Sequence, residues 1–235
     1  MTKPPMPQAH DLIQDLVQTH RILAHAECPF SYHVQTGDRG VVVLAGDNAS
    51  GKSLLLNLVG SKAYHAHGVE PIIVSMSART QGGVFRAMTY GSESDRATGQ
   101  VSVATTLRAL GAIPGRLDGG GRTLAVLDEP DFGLAEQYGH AFGLRIGRAL
   151  AALPEDGRWS LLLASHSREL VRGLLDGFGK TPTFVHTGQA CSLDEWLAPP
   201  GRHEEAALDR LLERAMEQQK ILGRVEQESK PRPKP

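Results

Sequence analysis

Cysteine is nearly missing from this chain. Cys28 and Cys191 are the only two, far apart and outside any C-x-x-C spacing, which excludes a disulfide scaffold and a thiolate zinc site. Long apolar runs are missing too: stretches such as Val41 to Ala45 and Leu161 to Ala164 fall far short of the roughly 18 residues that a membrane span requires. The amino end carries a lysine but neither an apolar h-region nor a small-residue cleavage site, so it does not read as a secretory signal. A net charge of -1 supplies no global field that would draw nucleic acid or acidic lipid, although a local basic patch is compatible with it. No repeat recurs at a fixed period. These absences lead to the expectation of a cytoplasmic protein.

What is present is enough for one substantial core: 235 residues, 40% hydrophobic and 22% charged. After a Pro-rich start, Leu12, Ile13, Leu16, Val17 and Leu23 recur at helical spacing within residues 11–24, with Asp11 placed as an N-cap. FSYHV (30–34) and VVVLA (41–45) read as two short strands separated by the turn-prone TGDRG. LLLNLV (54–59) is apolar all round, as suits a buried helix. PIIVSMS, LAVLD and SLLLAS, at 71–77, 124–128 and 160–165, are continuous apolar runs of strand length, the pattern of strands covered on both faces. Residues 133–153 between the last two are long enough for a crossover helix. The fold class expected from this order is α/β, a mostly parallel layered sheet with flanking helices.

Towards the carboxyl end, TFVHT reads as a last strand and Ser192 and Glu195 have capping-box spacing. Residues 203–225 form an amphipathic pattern with Leu208, Leu211, Leu212, Ala215, Met216, Leu222 and Val225 mostly on one side. Such a helix either packs on its own domain or binds a partner. The expected organisation is a helical segment over 1–28, a main domain over 29–200, the amphipathic helix over 201–229 and a basic tail over 230–235.

Three segments carry chemistry. Gly46, Asp47, Asn48, Ala49, Ser50, Gly51, Lys52 and Ser53 satisfy G-x-x-x-x-G-K-[ST], a loop whose backbone N–H groups surround phosphates. An apolar strand precedes it and a helix-forming run follows, as that mechanism requires. Lys52 is expected on the β- and γ-phosphates and Ser53 on Mg²⁺. In LAVLDEPDFGL an apolar strand delivers Asp128 and Glu129 to its carboxyl end, where ligand sites of α/β sheets lie. Asp128 suits the Mg²⁺ hydration shell, and Glu129 suits the water that attacks the γ-phosphate. In SLLLASHSREL the strand ends at Ser165 and His166, where a histidine either reports the γ-phosphate or caps a turn. His65 and His67 have no third ligand nearby in the sequence and read as surface residues.

With these segments in this order, the chain resembles an ATP-binding cassette (ABC-type) P-loop ATPase over about residues 30–190. GDNASGKS matches the family's Walker A loop, VLDEP its Walker B strand with the adjacent catalytic glutamate, and His166 its switch histidine. RATGQVSVATTLRAL (96–110) resembles the signature segment that meets the γ-phosphate of the opposite subunit. Thr98, Gly99 and Gln100 fall in its turn, with Ala97 where the family has serine. Gln81 is either the glutamine that senses Mg²⁺ or an ordinary loop residue. Ala135 stands where the family usually has aspartate after Walker B. Only residues 82–96 separate Gln81 from the signature, too few for a transporter's helical subdomain or a long coiled coil. Small stand-alone members, including RecF-like and overcoming-lysogenization-defect-like ATPases, are closest in outline.

The resemblance implies ATP and Mg²⁺ as ligands, Glu129 and His166 as catalytic residues, and a homodimer formed head to tail around two nucleotides. It also implies coupling to a further protein partner, in nucleic-acid maintenance, defence or complex remodelling. An ATP-gated binding module with slow hydrolysis is the alternative, and a P-loop small-molecule kinase a more distant one.

Overall fold

The computed structural model describes residues 6–75, 97–199, 201 and 204–228. At its centre are three strands that are covered on both faces: β2 (Asp38–Gly46), β4 (Thr123–Asp128) and β5 (Trp159–Ala164). Every residue of β4 and β5 is buried, as are Val41 to Gly46 of β2. This is the physical counterpart of the unbroken apolar runs in the sequence. Successive side chains of β2 point to opposite layers. Val41, Val43 and Ala45 join one hydrophobic cluster, and Val42 and Leu44 join the other.

The described sheet is completed by β1 (Tyr32–Gln35), β3 (Ile72–Ser75) and β6 (Pro182–Thr187), in the order β1-β6-β2-β5-β4-β3. All neighbours run parallel except β1 and β6, which are antiparallel. The expectation of a layered α/β fold with a mostly parallel sheet is met. Although β1 and β2 follow one another in sequence, they do not pair, because β6 lies between them. The connection is pinned to the start of β6, where Asp38 N–H donates to the Thr181 carbonyl (2.7 Å) and Gly37 N–H to the Thr183 hydroxyl (3.1 Å).

One layer holds α1 (Ala9–Thr19) and α2 (Lys52–His67), the other α3 (Thr98–Asp118), α4 (Gly139–Ala151) and α5 (Arg168–Phe178). The first helix starts and ends earlier than the sequence suggests. Its N-cap is Gln8, and Asp11 sits at the third helical position, where its carboxylate accepts from Gln8 N–H (3.1 Å). A capping box is reciprocal, so its acidic member at the third helical position has the same sequence signature as a cap. A 3₁₀ turn, Glu136–Tyr138, precedes α4 within the expected crossover segment.

Helices α4 and α5 approach until their backbones touch. A Cβ on Gly143 would lie 1.9 Å from the Leu170 carbonyl oxygen, and one on Gly173 would lie 2.0 Å from that of His140. The glycines at these positions are thus what allows this layer to close. Beyond β6, α6 (Leu193–Leu197) opens with the expected capping box between Ser192 and Glu195, and α7 (Ala206–Glu228) follows. Among the described residues no helix is long and apolar enough to cross a membrane.

Candidate functional site at the carboxyl ends of the central strands

The glycine loop 46–53 joins β2 to α2, with Lys52 as the first helical residue. Gly51, at φ 91°, turns the chain into the helix, a conformation that costs a side-chain-bearing residue energy. Its open α face also admits the Phe30 ring, whose Cγ would lie 2.6 Å from a Cβ at this position. No acidic residue occupies the first turn of α2, so the helix N-terminus presents its N–H groups and positive dipole end without an internal counter-charge.

Lys52 is 7% exposed, and its ammonium donates to the carbonyls of Gly46 (2.9 Å) and Asp47 (2.7 Å). Burial pushes its pKa down, while the charges of Glu129, Asp47 and Asp128 oppose that shift. The loop is braced from β6: the Ser50 and Thr187 hydroxyls are bonded to each other, and the Thr187 hydroxyl donates to the Ala45 carbonyl (3.1 Å). Asp47, Asn48, Ala49 and Ser53 are exposed.

Asp128 ends β4 and is 7% exposed. Its carboxylate accepts from the Ser75 hydroxyl at the end of β3 (2.8 Å). Burial raises its pKa, against the Ser75 hydrogen bond and the Lys52 charge. Glu129 follows with φ 51°, and Ala49 has φ 59°; among the described residues they are the only non-glycine positions with positive φ. Both stand at this one site, where such strain is characteristically held in place by surrounding structure. For Glu129 the holding bond is its N–H to the Ala164 carbonyl (2.9 Å).

His166 leaves β5 so that its Nε2 is 3.4 Å from Glu129 Oε1. The histidine lowers the Glu129 pKa, chiefly as a hydrogen-bond partner, and partial burial opposes it. The turn bearing His166 is set by its neighbours. Ser165 Oγ donates to Asp131 Oδ1 (3.0 Å) and accepts from Ser167 N–H (2.9 Å), while Ser167 Oγ caps α5 through Leu170 N–H (3.1 Å). Asp131 is itself buried enough for its pKa to be raised.

A cavity of about 320 Å³ gathers these parts: residues 48–54 of the loop, Phe30, Glu129 and His166 on one side, and Ala215, Gln218, Gln219 and Leu222 of α7 on the other. The loop, the acid and the histidine named from sequence are therefore together. Thr98, Gly99 and Gln100 are not with them. They sit at the start of α3 against the loop that follows Glu129, where a Cβ on Gly99 would lie 2.6 Å from the Gly133 carbonyl oxygen and Ser102 Oγ donates to the Phe132 carbonyl (2.8 Å). Gln81 lies outside the described residues.

Several contributors went unnoticed in the sequence. Thr187 and Ser75 are hydroxyl residues at strand ends, and Asp131 lies two residues past Glu129 in the same acidic segment. Arg214 reaches back from α7 to Asp47 (3.0 Å), a pairing across the chain that no local pattern announces.

Fold and site together define a layered α/β protein with a glycine loop between a central strand and a helix, facing an acid–histidine pair on the next two strands. No protein-family model matches the chain, and no curated protein gives a significant match to its sequence.

Proposed function

We propose that the protein is an ABC-type P-loop ATPase that binds Mg-ATP in the loop 46–53 and dimerises head to tail around two nucleotides. Hydrolysis at Glu129 then releases the dimer and resets whatever partner reads it. The observation that carries this reading is the shared cavity in which Lys52 and the loop face Glu129 and His166.

The chemistry of the donor set fits an anion and its metal. The Lys52 ammonium is desolvated and, among the described residues, hydrogen-bonded to neutral carbonyls with no carboxylate in direct contact, so phosphate oxygens would give it a direct anionic partner. Ser53 and Asp128 would hold Mg²⁺, which when bound neutralises charge on the phosphate oxygens. Glu129, with its pKa lowered by His166, is ionised at neutral pH and able to accept the proton of an attacking water. His166 stands where it can hold that carboxylate and sense a γ-phosphate. The segment 98–100, lying apart from the loop of its own chain, suits a surface offered to the loop of a second copy.

An ATP-gated binding module with slow turnover is the second reading, favoured by Ala97 and Ala135 at positions where the family carries serine and aspartate. One experiment separates the two and tests both. Molar mass by light scattering is measured for Glu129→Gln with and without Mg-ATP, alongside phosphate release by the unmodified protein. An ATP-dependent shift from monomer to dimer with measurable turnover supports the ATPase, and a shift without turnover supports the module. Absence of ATP binding overturns both.

A further inference from the structure

The mouth of the glycine loop is covered by the chain's own last helix. On one flank α7 places Ala215, Gln218 and Leu222 across the cavity from Asn48, Lys52 and Ser53. On the other, Leu211 and Arg214 share a second cavity of about 730 Å³ with Asn48 and His166. On the ATPase reading, a second copy offering its segment 98–100 to this loop would meet α7 at the loop's mouth.

Yet α7 is weakly attached. Of its 23 residues Val225 alone is buried; Leu212 and Met216 are 62–65% exposed on its outer face, and Leu208, which lines the second cavity, is 64% exposed. Its inner row, Leu211, Ala215, Gln218 and Leu222, is only half-buried, and its ion pairs among the described residues join exposed or half-buried groups: Arg214 to Asp47 (3.0 Å), Arg224 to Glu27 (2.6 Å), and His25 facing Glu228 (3.6 Å). Pairs of this kind contribute little in water and are screened by salt. The connection 198–205 that leads into it contains Pro199, Pro200 and Gly201 in sequence. An element with one buried anchor and solvent-exposed polar ties belongs to the low-stability end of a fold, from which moving parts are drawn.

We propose that α7 is an intramolecular strap: it occupies the face of the phosphate loop that a second copy of the chain must reach, and it leaves that face when the ATP-bound dimer forms. The strap rests on the ATPase reading above and adds its regulation. It acts by population. A chain whose docking face is open only part of the time shows a dimer affinity reduced by that fraction, and any change that undocks α7 restores the affinity.

The test uses the full chain in the Glu129→Gln background. Val225→Asp removes the single buried anchor of α7, and Leu212→Asp places the same charge on its outer face as a control. Retained circular dichroism and melting temperature establish that each variant is folded. Binding of a fluorescent ATP analogue, light scattering over a dilution series, and nucleotide-free hydrogen exchange at residues 46–54 are then measured. The strap predicts for Val225→Asp at least roughly tenfold tighter ATP-dependent dimerisation and faster exchange in the loop, with Leu212→Asp unchanged. Unaltered or weaker dimerisation by Val225→Asp, with ATP still bound, overturns the strap and leaves the ATPase reading intact. Failure of every variant and the parent to bind ATP removes the ATPase reading and the strap with it.

Discussion

The imidazole Nε2 of His166 lies 3.4 Å from the Glu129 carboxylate, and this pair is assembled by sheet order. The two residues leave β4 and β5, which are hydrogen-bonded neighbours with Asp128 in register with Ala164. The Glu129 amide is tied to that same Ala164, which fixes the left-handed turn that swings the carboxylate towards the histidine.

On the ATPase reading, Glu129→Gln keeps the size of the side chain and removes the proposed base. Phosphate release falls by about two to four orders of magnitude while ATP binding persists. Lys52→Ala has the opposite profile, losing ATP binding because the loop's ammonium is gone. Isothermal titration and phosphate release on the two variants check this, and full hydrolysis by Glu129→Gln would sink the assigned role.

Burial raises the Asp131 pKa, with the Ser165 hydrogen bond opposing. A carboxyl that holds its proton more tightly in the folded state favours folding at low pH. That contribution is lost as pH rises from the unfolded value, about 4, through the folded one. Asp131→Asn still accepts from Ser165 and carries no charge. Relative to the unmodified protein it gains melting temperature on going from about pH 4 to neutral pH, and a difference independent of pH would refute the assignment.

Thr187 braces the loop through its bonds to Ser50 and Ala45. Thr187→Val has the same shape but strands the Ser50 hydroxyl and the carbonyl next to the loop, at a cost of about 1–3 kcal/mol. Both chemical denaturation and ATP affinity register the change. Stability lost with affinity preserved would show that the brace serves the sheet and not the loop.

Gly143→Ala brings two opposed effects. In an exposed helix the exchange gains up to about 1 kcal/mol. Here the new methyl would meet the Leu170 carbonyl oxygen at 1.9 Å, and no side-chain rotation relieves a clash between backbones. The clash wins: the expected loss is about 2–4 kcal/mol, roughly 5–15 °C in melting temperature. A melting temperature that stays level or rises would show that α4 and α5 part easily.

Much of the frame was legible because its signals are local. The runs in β2, β4 and β5 are apolar without alternation, which only a doubly covered strand requires. The glycine loop carries its own turn residues, and Ser192 and Glu195 cap each other three positions apart. Where two local solutions share one pattern, the sequence does not separate them. Gln8 and Asp11 form a reciprocal box, in which the acidic partner has the sequence signature of a cap although Gln8 holds that position. The apolar positions of residues 203–225 form two rows, one facing the loop side through Leu208, Leu211, Ala215 and Leu222, the other left exposed at Leu212 and Met216. Helical periodicity alone does not say which row is covered.

The amino-acid order by itself determined the strands, the helix that follows the glycine loop, and the types of side chain each strand delivers to its carboxyl end. Those follow from backbone sterics and from the period with which apolar groups recur. Tertiary structure alone decided which strand ends become neighbours. It inserted β6 between β1 and β2, set Thr187 beneath the loop, brought His166 to Glu129, and laid α7 across Asp47 through Arg214. Each of these is a contact between segments distant in the chain, selected by the burial of whole layers, and no local pattern encodes it.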